Sequence, residues 1–97
     1  MAGQIRITPD QMRARAAEYD IEAGKVGDVI TKMDQLLGLL QEEWEGEASR
    51  AYADRFAQLR PSFTNAQQLI NEIATALRNT ATTLEQTDAQ VAAGLRG

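Results

Sequence analysis

The stretch Trp44-Glu45-Gly46 marks the one place where a long helical repeat stops and a second repeat begins. Trp44 is the only tryptophan among the 97 residues. A glycine just past a periodic apolar run can adopt the left-handed conformation that ends a helix, so we interpret Gly46 as the helix stop. Glu47 then places a negative charge at the start of the next helix, where the helix dipole favours it. The sequence therefore predicts a turn over residues 44–47 between two helical arms.

The first arm is predicted to be a helix over residues 9–43. Thr8-Pro9-Asp10-Gln11 is a helix start, because Thr8 can cap the helix, Gln11 has the capping-box spacing and proline suits the first turn. Beyond this start, apolar residues recur in steps of four and three without a gap, which is the period of a coiled-coil seam. The seam consists of Met12, Ala16, Tyr19, Ala23, Val26, Ile30, Met33, Leu37, Leu40 and Trp44.

The apolar seam changes character along the first arm. Its first half is small, with Gly24 and Gly27 nearby, so another helix can approach closely. In its second half, Val29 and Leu36 widen the apolar face between residues 26 and 40. A two-helix hairpin needs only one seam, so the extra width indicates a second contact, most simply with another subunit. The alternative is that the protein's own second arm covers the wide face.

The second arm is predicted to be a helix over residues 48–91, followed by a flexible tail over residues 92–97. The apolar spacing repeats at Tyr52, Phe56, Leu59, Phe63, Ala66, Ile70, Ile73, Leu77, Thr80, Leu84, Thr87 and Val91. Pro61 lies inside this repeat, where proline removes a hydrogen bond and kinks or breaks a helix. The period continues through Pro61 without a shift, which favours a kinked but continuous helix. A break near Arg60 is the alternative.

The composition excludes several classes of function. The chain has no cysteine and no histidine, which removes disulfides, thiolate metal sites, the commonest metal ligand and the commonest general base. We therefore predict a protein that is not an enzyme and that has no cofactor and no metal site. The net charge of −4 argues against nucleic acid binding and disfavours prolonged contact with an anionic membrane.

Charged residues are interpreted as solvated surface rather than as sites. The acidic residues that crowd the turn form a solvated cap, which could also meet a basic surface; they are Glu42, Glu43, Glu45 and Glu47. Basic residues that alternate with acids along the first arm are interpreted as solvating positions; they are Arg13, Arg15, Lys25 and Lys32. Residues 1–30 contain no signal-peptide pattern, and no stretch approaches the length of a membrane span.

These observations predict an all-α protein with a single domain over residues 1–97. Each arm would be about 50–65 Å long at ~1.5 Å per residue, so the hairpin is a rod. Two helices pressed together leave their flanks exposed to water, and pairing two hairpins into a dimeric four-helix bundle covers them. A homodimer is the simplest form. The predicted dimer and core residues are Val26, Val29, Ile30, Met33, Leu36, Leu37, Leu40, Tyr52, Phe56, Leu59 and Phe63.

An all-helical chain of this length with Trp-X-Gly at its midpoint resembles the WXG family, the small Esx proteins exported by type VII secretion systems. The resemblance covers essentially the whole chain, including the helix start at residues 8–11. It implies a hairpin that dimerises antiparallel, and export in the folded, dimeric state without a cleaved signal peptide. It also implies that the turn of one subunit, here Trp44 and Gly46, forms a composite signal with the C-terminal segment of the other.

The segment that would complete this signal matches one branch of the family. The Tyr-X-X-X-Asp/Glu signal of the mycobacterial branch is missing, since Ala23 and Phe56 stand four residues after the two tyrosines. Homodimeric relatives in Firmicutes carry a spaced pattern of one hydrophobic residue, one acid and two more hydrophobic residues. The residues that match it are Leu84, Asp88, Val91 and Leu95. The resemblance therefore implies a homodimer rather than a heterodimer with a related Esx protein.

The function implied by the resemblance is that of a small non-enzymatic protein, either exported itself or acting as an export adaptor. It would be recognised by the membrane-bound FtsK/SpoIIIE-type ATPase of the secretion system. It would be cytoplasmic before export and secreted afterwards. Two alternatives stay open. One is a coiled-coil chaperone or structural partner of a larger effector, and the other is a membrane-perturbing effector, because amphipathic helices can open and insert.

Overall fold

The computed structural model describes residues 7–96, and two long helices make up most of them. Helix α1 spans Pro9–Glu43 and helix α2 spans Glu47–Arg96. They pack against each other antiparallel and are joined by a turn over residues 44–46. The hairpin measures 77 × 26 × 18 Å and has a radius of gyration of 22.0 Å. The predicted all-α helical hairpin is confirmed.

The start of α1 is capped in the way that the sequence predicts. The Gln11 backbone N–H donates to Thr8 Oγ1 at 3.1 Å, and the Thr8 N–H donates to Gln11 Oε1 at 2.8 Å. The Thr8 carbonyl accepts from the Met12 N–H at 2.9 Å. Pro9 occupies the first helical position, where its missing N–H removes no helical bond. These bonds satisfy backbone groups that would otherwise be left open at the start of the helix.

Small side chains make the contact between the two helices. The buried hydrophobic residues are Met12, Ala16, Ala23, Ile30, Ala74 and Ala81. Among residues 7–96, no large side chain is completely buried. Alanine at the centre of the contact keeps the helices close, and most bulky residues, other than Met12 and Ile30, are only partly covered. The core of a single hairpin is therefore thin.

On α2 the contact line differs from the predicted seam. The seam placed Thr80 and Thr87 between the helices, but both are exposed. Ala74 and Ala81 occupy the contact instead, and Gln67 lies on the same line, seven residues earlier. The prediction followed the bulky residues, which lie on one flank of α2. It missed the alanines because a small side chain gives a weak periodic signal even where close packing requires it.

A glycine on α1 admits a polar side chain from α2. Gln67 Nε2 donates to the Ala23 carbonyl at 3.1 Å, and this bond is partly buried. A Cβ on Gly27 would lie 2.7 Å from that nitrogen. A Cβ on Gly24 would meet nothing within 4 Å. The close approach predicted for this half of α1 therefore takes place at Gly27.

Helix α2 is continuous through Pro61, so a break near Arg60 is excluded. Pro61 is exposed, and the hydroxyl of Thr64 donates to its carbonyl at 3.0 Å. The missing N–H of proline costs the helix one backbone bond, and the rest of the long helix tolerates the loss. The prediction of a continuous helix is confirmed.

The last turns of α2 differ from the prediction. Residues 92–96 are helical, whereas the sequence predicted a flexible tail from residue 92. Gly94 interrupts this segment, but one glycine costs a helix only about 1 kcal/mol, which a long helix absorbs. Gly97 lies outside the described residues. Within the described residues, neither helix has an apolar window long enough to cross a membrane.

Candidate functional site

The turn reverses the chain through two residues with contrasting backbone conformations. Trp44 ends α1 in an extended conformation (φ −125°, ψ 107°), and its N–H donates to the Leu40 carbonyl at 3.0 Å. Gly46 has φ +118°, a region that residues with a side chain rarely adopt. The helix therefore ends at Glu43 and is capped by Trp44, which corrects the prediction that Gly46 is its stop. Gly46 instead turns the chain into α2, which begins at Glu47, one residue before the predicted start at residue 48.

Three aromatic rings line one side of the hairpin next to the turn. The ring centroids of Trp44 and Tyr52 lie 5.4 Å apart, and those of Tyr52 and Phe56 lie 5.7 Å apart, both with tilted planes. Trp44 and Phe56 are half-buried, whereas Tyr52 is 52% exposed. Such tilted pairs are favourable arrangements for aromatic side chains. The cluster therefore holds the turn in place while leaving ring surface open to a partner.

An apolar face continues from the aromatic cluster along the same side of the hairpin. It comprises Val29 and Leu36 on α1 and Tyr52, Leu59 and Phe63 on α2, all between 39% and 52% exposed. Next to Phe56, Leu36 also lines a cleft of about 130 Å³ between the helices. The face is thus a ridge of bulky side chains with an apolar recess at its base.

The other predicted dimer and core residues lie between this face and the contact of the two helices. Ile30 is buried. The half-buried residues are Val26, Met33, Leu37, Leu40 and Phe56. The sequence therefore identified the apolar side of the hairpin, but it did not separate the residues that one chain covers from those that it leaves open.

The opposite side of the hairpin, which we call the polar edge, carries three ion pairs between the helices. Arg60 donates to Asp34 through Nε at 3.0 Å and through Nη2 at 2.9 Å. Glu85 accepts from both terminal nitrogens of Arg13, one of them at 3.0 Å. The third pair joins Arg78 to Asp20.

Two of these ion pairs, Arg60–Asp34 and Arg13–Glu85, shift the pKa values of the groups that form them. The hydrogen bonds from Arg60 hold the pKa of Asp34 below its usual range, and those from Arg13 do the same for the pKa of Glu85. The carboxylates in turn raise the pKa of each arginine. Arg13 therefore binds α2, and its interpretation as a merely solvating position is wrong.

The polar edge was not predicted from the sequence, although the spacing of its charged residues indicates it. Arg13, Asp20 and Asp34 stand at multiples of seven residues from one another, and Arg78 and Glu85 are also seven apart. They flank the seam on the side opposite to Val29 and Leu36, where charged pairs between coiled-coil helices lie. A heptad count of charged residues, beside that of apolar ones, would have found them.

The residues of the predicted second signal lie at the other end of the rod from the turn. Leu84 is half-buried, Asp88 is exposed, and Val91 and Leu95 are 57% and 84% exposed. Arg13, one turn into α1, pairs with Glu85, so the last turns of α2 extend past the start of α1. They present a helical ridge with exposed apolar side chains and one acid.

The acidic residues around the turn are all exposed: Glu42, Glu43, Glu45 and Glu47. In the part of the chain from residue 7 to residue 96, no group of three or more carboxylates is arranged to hold a metal ion. The cap thus has the geometry of dispersed surface charge.

The family model described as "WXG100: Proteins of 100 residues with WXG" matches residues 4–89. The chain is 39% identical over 97 residues to "Protein YukE" of Bacillus subtilis, covering 100% of both chains. It is 26% identical over 87 residues to "Type VII secretion system extracellular protein A" of Staphylococcus aureus, covering 90% of each chain. The matches therefore extend over both helices and the turn.

Solved structures share the hairpin. The crystal structure of Geobacillus thermodenitrificans EsxA (form I) has a TM-score of 0.78 and 41% identity, covering 94% of this chain and 100% of that one. A secreted protein EsxB from Bacillus anthracis has a TM-score of 0.78 at 24% identity, covering 91% and 99%, and supports the fold alone.

Proposed function

Because the chain belongs to the WXG100 family, we propose that it is a small protein exported by a type VII secretion system. Its relative in Staphylococcus aureus is named an extracellular protein of such a system. On this proposal the protein is made in the cytoplasm and then secreted. We assign it no chemical reaction, and its activity consists in recognition by other proteins.

We further propose that the exported form is a dimer of two hairpins. The observation that carries this step is the apolar face, whose five bulky residues are between 39% and 52% exposed. A continuous apolar surface of this kind on a small protein marks an interface. In a two-fold dimer, each chain covers the apolar face of its partner, and the same residues of both chains form the interface. The dimer would be a four-helix bundle.

An antiparallel arrangement of the two hairpins follows from the positions of the candidate signals. Within one chain, the Trp44-Glu45-Gly46 turn and the ridge of Val91 and Leu95 lie at opposite ends of a rod 77 Å long. One receptor surface cannot contact both on the same chain. Antiparallel pairing brings the turn of one chain beside the ridge of its partner, so each end of the dimer carries both elements. Each end of a monomer would present only one of the two elements.

The receptor that we propose for this composite signal is the FtsK/SpoIIIE-type ATPase of the secretion system. Helix-in-groove recognition fits the ridge, because Val91 and Leu95 are already displayed on a formed helix with Asp88 beside them. A preformed helix loses little conformational freedom on binding. The ring of Trp44 supplies a second apolar contact at the same end of the dimer.

The test is secretion of point variants by a bacterium with a type VII secretion system, measured as protein in the culture supernatant. Trp44→Ala, Asp88→Ala and Val91→Ala are each expected to abolish or strongly reduce export. A matched control for the third is Leu69→Ala, since Leu69 and Val91 are both 57% exposed on α2. Circular dichroism and sedimentation on the purified variants establish that each remains a folded dimer.

The outcomes separate the parts of the proposal. Loss of export in folded, dimeric variants, together with normal export of Leu69→Ala, supports the composite signal. Normal supernatant levels of all three variants would refute it. A wild-type protein that sediments as a monomer would refute the dimer. Wild-type protein that never leaves the cell in a secretion-competent strain would refute export itself.

A further inference from the structure

The two flanks of the hairpin differ in a way that the helix contact alone does not explain. The three ion pairs between the helices lie on one flank, and the five residues of the apolar face lie on the other. The ion pairs are spread along the rod, from Arg13 near the start of α1 to Arg60 near the turn. The ion pairs do not touch the apolar face. They can change its exposure only by changing how each helix is rotated about its own axis.

The apolar surface of α1 is wide enough to allow a second orientation. It extends from the buried Ile30, at the helix contact, to Val29 and Leu36 on the flank. An inward roll of both helices would turn this flank toward the other helix, and removing its apolar side chains from water would favour the roll. Such a roll would hide the apolar face, and it would also move the polar edge apart. The ion pairs therefore oppose the roll.

We propose that the polar edge is an alignment device that holds the apolar faces of both helices outward, ready for a second copy of the chain. This inference rests on the proposed dimer and assigns residues outside its interface a role in forming it. The edge acts at three levels of the rod, so neither helix can roll locally without separating a pair. The Asp34–Arg60 and Glu85–Arg13 pairs each form two hydrogen bonds, which fix both position and direction.

A contact at the middle of the rod works in the same direction. Gln67 reaches past Gly27 to the Ala23 carbonyl, so the α2 side chain is tied to the backbone of α1 rather than to a mobile side chain. Ion pairs within α1, such as Arg15–Glu18 and Lys25–Glu22, cannot have this effect because they join residues of one helix. These intrahelical pairs provide a natural control for charge effects unrelated to alignment.

The experiment reverses one charge at a time and measures dimerisation. Arg60→Asp places two carboxylates opposite each other on the polar edge, and the double variant Asp34→Arg with Arg60→Asp restores the pair in reversed order. Lys25→Glu changes the net charge equally but disturbs only the intrahelical pair. Sedimentation equilibrium gives the dimer dissociation constant. We expect Arg60→Asp to raise it about tenfold, because both chains carry the change, and the double variant to recover most of the loss.

A second measurement detects the roll itself. The chain has no cysteine, so Leu36→Cys with Leu59→Cys introduces a single pair across the apolar face. Inward rolling brings these two positions together. At concentrations too low for dimers, disulfide formation on oxidation by copper phenanthroline should rise when Arg60→Asp is added and fall again in the reversed pair. Arg60→Gln, a milder change, serves if the aspartate variant loses helicity by circular dichroism.

The outcomes distinguish this inference from the dimer on which it rests. Weaker dimerisation and higher crosslinking in Arg60→Asp, both reversed by the charge swap and absent in Lys25→Glu, support the alignment role. Unchanged dimerisation and crosslinking, or a swap that restores neither, would overturn it. If the wild type is a monomer, the proposed dimer fails, and the crosslinking comparison still decides whether the polar edge controls the roll.

Discussion

The apolar face and the polar edge are formed by the same two helices, yet only one of them is complete within a single chain. On the polar edge, each charge of the three interhelical pairs meets its partner from the other helix. On the apolar face, side chains such as Leu36 and Tyr52 remain about half exposed. A charged side chain can be satisfied by one partner, whereas a bulky apolar side chain needs to be surrounded. The hairpin therefore folds through one flank, and on the proposed function it assembles through the other.

The largest effect is expected from a charge placed on the apolar face. Leu36→Asp would bury a carboxylate at the proposed interface in both chains, which weakens dimerisation about a hundredfold or more. Leu39→Asp is the control, because both leucines are 50% exposed. Leu39 stands two and a half turns from the buried Ile30, so it lies on the side of α1 that faces away from α2. Sedimentation equilibrium measures both. Equal effects at the two positions would mean that the apolar face is not the interface.

A substitution at the turn should lower the free energy of unfolding of the whole hairpin, because both flanks depend on how the turn joins the helices. Gly46 has φ +118°, so Gly46→Ala introduces backbone strain of about 1–3 kcal/mol. We expect this loss in the free energy of unfolding, measured with urea at one fixed protein concentration. Gly38→Ala is the control, since Gly38 is inside α1 and a Cβ there meets nothing within 4 Å. The control variant Gly38→Ala should stabilise the protein, by up to about 1 kcal/mol. A stabilising Gly46→Ala would contradict the need for glycine at the turn.

The sequence predicted the fold better than it predicted the two flanks. The positions of the helices depend on local bonding and spacing. These are visible in the capping box, in the apolar seam of α1 and in the apolar repeat that continues through Pro61. Which flank faces the partner depends on pairs far apart in the chain, such as Arg13 with Glu85, and a count of apolar residues alone does not reveal that contact. Helical residues 92–96 were missed because one glycine was given too much weight.

The candidate site divides in the same way. The position of Trp44 and Gly46 at the turn was predictable, because a lone tryptophan and a glycine at a break in two repeats are local features of the sequence. The aromatic cluster with Tyr52 and Phe56 required the three-dimensional turn. Whether Asp88 and Val91 act as a signal stays a prediction, since their positions in the structure are compatible with that role and do not test it.

A smaller effect is expected where the polar edge meets the backbone of α1. Gly24→Ala should stabilise α1 by up to about 1 kcal/mol, because alanine is the better helix former and the position is open. Gly27→Ala should gain less, because its Cβ displaces the Gln67 amide and the bond to Ala23 is lost, at about 0.5–1.5 kcal/mol. Urea unfolding of both variants gives the difference. Equal stabilisation would show that the Gln67 bond contributes nothing.

The smallest effect is expected when the pH is lowered. It measures how much the charges of the polar edge contribute to the free energy of unfolding. The pKa values of Asp34 and Glu85 are lowered from ordinary values of 3.8 and 4.5 by their arginine partners. A carboxyl whose pKa is lower in the folded protein stabilises the fold above its ordinary pKa, and this stabilisation disappears as the pH falls through the folded value. Both pairs should therefore contribute fully at pH 6 and progressively less below about pH 4.5. The pairs are exposed, so the contribution is small.

Urea unfolding of the wild type and Asp34→Asn between pH 7 and pH 3 should show two curves that converge on acidification. Glu18→Gln, which removes a pair within α1, is the control for an ion pair that does not join the helices. A gap between wild type and Asp34→Asn that stays constant down to pH 3 would mean that the Asp34–Arg60 contact holds the helices by shape rather than by charge.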